Sequence, residues 1–452
     1  MKRLLAALLM LLTMTACSQQ AVIPMPAPQS EQTPAIHQPV EEIPAPEVTP
    51  APEQPPEPVR SPEADLYKAD AEYLVALVEE THPCFALDDV SAEYAPAKEK
   101  LLAECEYAAD QDAFARLCQQ YLVSLGDAHT LMFSVYAVKS RLDLTGLVEG
   151  DTFYITNTAG DLTGETLATV NGVPLTELFA LVDAHYVAEN QAAKEYNRRY
   201  YSLSEYFLEL AGIDILNPIY VTKEKDGVQE TELIDRTDEP ISREASFIAD
   251  CKILQDDVFY VDFNKCKQCP QLDDVCAKLE KAVAGGIRKI IVDIRGNGGG
   301  TDPACRQLLK AMDMKPPRSG QFLRWSPLTA PIYQITQDYQ LPANPSAAVT
   351  NPDVTLIVLV DQNTFSSANL LASWVQDGKL GTIVGQPSRN SPTSYGATHS
   401  FSLPGTGLQG RVSAKRIYRP DATADQKTLW PDIQTELGED ALETALAYLK
   451  NK

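Results

Sequence analysis

The sequence predicts an α/β fold with an N-terminal helical subdomain and a small β-rich insert, and three observations carry that prediction. From about residue 258 onward, short apolar runs alternate with amphipathic helical stretches, as buried strands and their crossover helices require. Before residue 130, apolar residues recur at spacings of three and four, the period of a helix with one buried face. Between these regions lie short strand-like runs broken by Asn-Gly and Asp-Gly turns. The 452 residues leave room for a full core. With 62 Asp+Glu against 38 Lys+Arg the net charge is −24. That excludes nucleic acid and an anionic membrane surface as partners, because both need clustered Lys and Arg.

The chain begins with targeting sequence. Lys2 and Arg3 precede an apolar run over 4–13 that is too short for a comfortable membrane span. Thr15-Ala16-Cys17 follows and looks like a bacterial lipobox. The likeness implies that 1–16 is a lipoprotein signal peptide and that Cys17 carries lipid. The plainer alternative is an ordinary signal peptide with a chance Cys. Residues 17–62 read as a tether, since 18–62 holds thirteen of the 32 prolines and no aromatic residue. Such a segment cannot bury enough area to offset its ordering, and it extends at ~3.1 Å per residue. The expectation is an extracytoplasmic protein held to the bacterial cell membrane by lipid alone.

Residues 63–130 read as a helical subdomain, with Leu66, Ala69, Tyr73, Leu74, Leu77 and Val78 recurring at spacings of three and four and breaks near Pro83 and Pro96. Residues 131–245 read as a small β/α insert. It holds a hairpin turn at Asn171-Gly172, a helical stretch over 175–210 and two strands around Lys225-Asp226-Gly227. Residues 246–452 read as the α/β core. Its strands are expected at 258–263, 289–294, 354–360 and 382–384, and its helices at 272–284, 304–312 and 366–376. Beyond Cys17 eight cysteines remain, expected as disulfides or buried thiols with the pairing open. Cys266-x-x-Cys269 is half of a zinc pattern without its second half.

Three segments carry candidate chemistry. Asp293-Ile294-Arg295-Gly296-Asn297-Gly298-Gly299-Gly300 follows a buried strand. Its consecutive glycines let backbone N–H groups approach a ligand closely, as in an oxyanion hole. A dinucleotide loop fails because Thr301 occupies the last Gly position, and a plain turn is the bland alternative. Thr364-Phe365-Ser366-Ser367-Ala368-Asn369 brings two serines from a strand to a helix start. Serine there is usually an N-cap, yet a nucleophile gains from the same helix terminus. Leu125-Gly126-Asp127-Ala128-His129-Thr130 offers one of five histidines. A lone His is more often structural, but a serine nucleophile needs a base.

In order and spacing the three segments resemble the serine peptidases of the C-terminal-processing (tail-specific) and tricorn-core type, over about residues 65–440. The resemblance implies a ClpP/crotonase-like α/β core, hydrolysis of peptide bonds, a peptide or protein substrate, and neither cofactor nor metal. It implies Ser366 as nucleophile, three residues before Asn369, where the family carries Glu. Ser367 N–H and Gly298, Gly299 and Gly300 would form the oxyanion hole. The tail-specific Lys base has no counterpart, since Ser391 stands there and no Lys occurs over 380–411. His129 fits the base of the tricorn-like branch. The orienting carboxylate is expected at Asp425, with Asp127 as the alternative. Residues 170–175 are similar to a remnant of a PDZ domain without its carboxylate-binding loop. The expected function is a lipid-anchored extracytoplasmic serine endopeptidase. The competing reading, motivated by Asn369, is an inactive peptide- or ligand-binding protein on the same scaffold.

Overall fold

The apolar runs of the C-terminal half pair into one six-stranded sheet. Its order is Ala249–Ile253, Val258–Phe263, Lys289–Asp293, Thr355–Val360, Thr382–Gly385 and Ile433–Gln434. All neighbours are parallel except the first pair. In the computed structural model, residues 59–136, 138, 140–238 and 246–451 are described. The signal peptide, Cys17 and nearly all of the expected tether fall outside them.

Alternation along these strands explains why they read as unbroken apolar runs. Phe259, Val261, Ile290, Val292, Leu356 and Val358 point into one core. Val258, Tyr260, Ile291, Ile357 and Leu359 point into another. A strand with both faces covered has no position that favours a polar residue. The first face is packed by residues of α7 (Pro270–Ala284), α8 (Asp302–Lys310) and α10 (Ser367–Asp377). The second is covered by Ala441, Ala445 and Leu449 of α11 (Ala441–Lys450). Burying each such aliphatic side chain contributes about 1.5–3 kcal/mol.

The N-terminal helices are α1 (Ala64–Thr81), α2 (Tyr94–Glu104) and α3 (Gln111–Val123). Pro96 does not break the second helix but stands in its first turn, where a missing N–H costs nothing. These helices share a core with Tyr395, Phe401, Leu403 and Val412. The last four belong to or flank an antiparallel sheet that sequence patterning left unread. Its strands are Leu131–Met132, Gly320–Leu323, Tyr339–Leu341, Ser394–Ser402 and Gln409–Tyr418.

The segment between has a third sheet and three helices, α4 (Leu175–His185), α5 (Gln191–Tyr201) and α6 (Glu205–Leu210). Both turns expected there form, with Asn171 and Gly172 at φ +46° and +79° and Asp226 and Gly227 at +52° and +77°. Such paired positive φ values match the right-handed twist of the flanking strands. One further short helix, α9 (Ala330–Tyr333), lies between α8 and α10. Among the described residues no helix is long and apolar enough to cross a membrane.

Candidate active site

Two adjacent parallel strands, Lys289–Asp293 and Thr355–Val360, end side by side. Their carboxyl-end loops carry the glycine segment and the serine segment, the place where open α/β sheets bind ligands. Several bonds stitch the loops together. Gly296 N–H donates to Asp361 Oδ1 at 3.0 Å and Phe365 N–H to Asn297 O at 3.0 Å. Thr364 Oγ1 donates to Ile294 O at 3.0 Å. Asn297 is buried, its Nδ2 donating to Phe263 O at 2.6 Å.

Ser366 stands between strand and helix with φ +55° and ψ −126°, a region that side-chain-bearing residues rarely enter. Its hydroxyl makes no capping bond to α10, so the bland capping role is not the one it plays. Its N–H donates to Asn390 Oδ1 at 2.8 Å. Ser367 uses its own hydroxyl structurally, donating to Asp302 Oδ1 at 2.9 Å and Gly300 O at 3.2 Å. The Ser367 backbone N–H has no intramolecular acceptor among the described residues, nor does that of Gly298. Gly299 departs from the expectation of a free donor, because its N–H is spent on Asn297 Oδ1 at 2.8 Å. Close approach explains the glycines: a Cβ on Gly299 would lie 2.6 Å from Ser366 Cβ, and one on Gly300 2.2 Å from Cys266 O.

His129 is buried, with its ring stacked on Phe365 at 4.5 Å between centroids and 28° between planes. The base candidate therefore touches the residue immediately before Ser366. Neither ring nitrogen has a hydrogen-bond partner. Two carboxylates flank the ring. Asp127 Oδ1 is 3.7 Å from Nδ1 and accepts the His129 backbone N–H at 2.8 Å. Asp127 Oδ2 accepts from Thr130 Oγ1 at 2.5 Å and contacts His82 Nε2 at 3.2 Å. Burial alone would raise the Asp127 carboxyl. The close imidazole of His129, the His82 contact and the charge of both rings outweigh it and hold the group well below the usual carboxylate range.

Glu189 is the second carboxylate, and sequence reasoning missed it. It lies between α4 and α5 and accepts from Asn390 Nδ2 at 2.7 Å, Ser391 N–H at 2.8 Å and Ala128 N–H at 3.2 Å. Removal from water raises its pKa, and the Asp127 charge adds to that against the pull of His129 and its donors. Asn390 thus bridges Ser366 N–H and Glu189 through the two ends of one amide. Nothing in the sequence around Glu189 marks it, because every one of these contacts is long-range. Atoms of Asp127, His129 and Glu189 lie within 4.8 Å of one another, close enough to share a divalent ion. Both carboxylates are already taken up by N–H and O–H donors, which suits orienting an imidazole better than ligating metal.

Asp425, the orienter expected from the sequence, is not part of this cluster. It is exposed in a turn where Lys427 N–H, Thr428 N–H and Trp430 Nε1 donate to it at 2.8, 3.1 and 3.0 Å. A carboxylate so placed tightens its own loop. Asn369 is buried beneath the serine, its Nδ2 donating to Asn390 O at 2.8 Å and its Oδ1 accepting from Ser388 Oγ at 2.7 Å. Asn369 is thus a neutral brace for the loop that holds Asn390. All eight described cysteines are free thiols.

Residues 257–435 match the sequence model of peptidase family S41. Among curated proteins no relative matches. Among solved structures, mature CPAF with lactacystin aligns with a TM-score of 0.60 at 12% identity, over 86% of this chain and 97% of that one. Mature CPAF alone aligns with a TM-score of 0.59 at 13% identity, over 86% and 96%. The photosystem II D1 C-terminal processing protease aligns at 0.41 and 15% identity, over 82% and 93%. The CPAF likeness extends the common α/β fold with its helical N-terminal part well beyond the family-matched residues.

Proposed function

We propose that the chain, whose residues 257–435 match the sequence model of peptidase family S41, is a serine peptidase and that Ser366 and His129 form its catalytic pair. The observation that carries this reading is the packing of the His129 ring on Phe365, beside a Ser366 hydroxyl that no capping bond engages. Ser366 Oγ attacks the scissile carbonyl carbon while His129 accepts its proton. The carbonyl oxygen becomes an oxyanion facing the unengaged N–H groups of Gly298 and Ser367, each worth ~3–4 kcal/mol of barrier. Collapse breaks the C–N bond, and His129 returns the proton to the departing amine. Water, activated by the same imidazole, then releases the acyl group and regenerates the serine. Asp127 and Glu189 act as positioning residues that favour the imidazolium formed midway.

A fluorophosphonate probe tests the pair. Wild type is expected to label and to cleave peptides. Ser366→Ala and His129→Ala are expected to lose at least about a thousandfold in kcat while keeping the wild-type circular dichroism. Near-normal turnover in either variant would end this assignment. Absence of labelling in wild type would favour the competing reading of an inactive binder.

We also propose that the enzyme is lipid-anchored outside the cytoplasm. Support comes from the charged start, the apolar run and Thr15-Ala16-Cys17, followed by a Pro-rich segment. Growth of an expressing bacterium with labelled palmitate should label the full chain and not Cys17→Ala.

A further inference from the structure

Beside the nucleophile lies a ladder of rings and guanidinium groups. Arg389 lies over the Tyr196 ring at 4.0 Å and over the Phe365 ring at 4.4 Å. Tyr196 stacks on Tyr200 at 4.1 Å, and Arg199 lies 5.6 Å from the Tyr200 centroid. The ladder is anchored to the catalytic loops. Tyr200 hydroxyl donates to Asn363 Oδ1 at 2.8 Å and Arg389 N–H to Gln362 O at 3.3 Å. Asn390, the next residue, accepts the Ser366 N–H.

The Nε atoms of Arg389 and Arg199 are both buried without a hydrogen-bond acceptor. Among the described residues neither arginine forms an ion pair. Other partly buried arginines do: Arg198 with Asp151 and Asp183, Arg295 with Asp293, and Arg419 with Asp377. Carboxylates on the same segments are engaged by neutral donors instead. Glu195 accepts from Gln362 Nε2, and Asp361 from the N–H groups of Gly296 and Thr364. In a chain of net charge −24, two cations left unpaired at one place run against the supply of anions. A charge held partly out of water without a partner is costly unless a ligand supplies one.

We propose that Arg389, backed by Arg199, is a specificity-determining residue that binds an acidic side chain of the peptide substrate close to the scissile bond. The planar guanidinium fork matches a carboxylate, and the flanking rings hold it in one orientation. This rests on the peptidase reading for its substrate class, but binding tests it separately from catalysis.

The experiment uses the full chain with Ser366→Ala, and a positional set of fluorescent octapeptides carrying a single Glu or its Gln counterpart. At one position Glu should bind at least roughly tenfold tighter than Gln, the factor one charge-assisted hydrogen bond supplies. Adding Arg389→Gln should bring that ratio close to one, Arg199→Gln should lower it, and Arg389→Glu should shift preference to Lys at the same position. Equal binding of Glu and Gln peptides at every position overturns the inference, as does a preference that survives Arg389→Gln. Wild-type hydrolysis of the same peptides is measured in parallel. A Glu preference in binding without hydrolysis supports the acidic subsite and refutes the catalytic pair.

Discussion

The His129 imidazole and the Phe365 ring stack with centroids 4.5 Å apart, joining the loop after α3 to the residue before Ser366. The two segments are remote in sequence, so this contact sets where His129 stands relative to Ser366. Phe365 is buried, and Phe365→Ala should cost about 3–5 kcal/mol of stability. It should also slow fluorophosphonate labelling by on the order of a hundredfold, since small displacements of catalytic groups are expensive. Labelling at the wild-type rate in a destabilised variant would show that the stack does not position His129.

Gly298 and Gly299 should respond differently to alanine. A Cβ at Gly298 meets nothing within 4 Å, whereas at Gly299 it would lie 2.8 Å from Phe365 O as well as against Ser366, with φ at +96°. Gly299→Ala should destabilise by roughly 1–3 kcal/mol and push the serine loop out of place. Gly298→Ala should lose far less activity. Comparable kcat/KM values for the two would contradict the geometry.

The backbone at Ser366 is strained, and strain of this kind costs about 1–3 kcal/mol. Ser366→Gly should therefore melt higher than Ser366→Ala by an amount equivalent to about 1 kcal/mol, with neither expected to turn over peptide. If Gly melts lower than Ala, the dihedral strain is not real.

The paired carboxylates give opposite pH dependences. Asp127 has a depressed folded-state pKa, so its stabilising contribution is complete above the ordinary value of 3.8 and disappears as pH falls through its folded value. Glu189 has a raised pKa, so it favours the folded state below its ordinary 4.5 and loses that contribution as pH rises through its folded value. Asp127→Asn should flatten the acid limb of a stability profile recorded between about pH 2 and pH 7, and Glu189→Gln should remove the opposite slope. Parallel profiles for wild type and Asp127→Asn would contradict this.

Buried salt bridging offers a stability test away from the active site. Arg419 and Asp377 meet at 2.8 Å with both side chains almost wholly buried. Removing Asp377 should cost about 3–5 kcal/mol by stranding a buried cation. Chemical denaturation of Asp377→Ala measures it, and the double variant with Arg419→Ala should lose less than the sum of the two single losses.

The amino-acid order determined the α/β core, both positive-φ turns, and the three segments that meet around Ser366. Those features are written locally: strands covered on both faces are continuously apolar, tight hairpins demand Asn-Gly or Asp-Gly, and close backbone approach demands glycine. Tertiary structure alone decided which carboxylates face His129. It left Asp425 in its own surface turn, brought Glu189 in through contacts distant in sequence, and left the Ser366 hydroxyl without a capping bond to its helix. Such choices depend on how separate loops approach through space, where a hydrogen bond or a charge acts over a few ångströms whatever the sequence distance, and no periodicity records them.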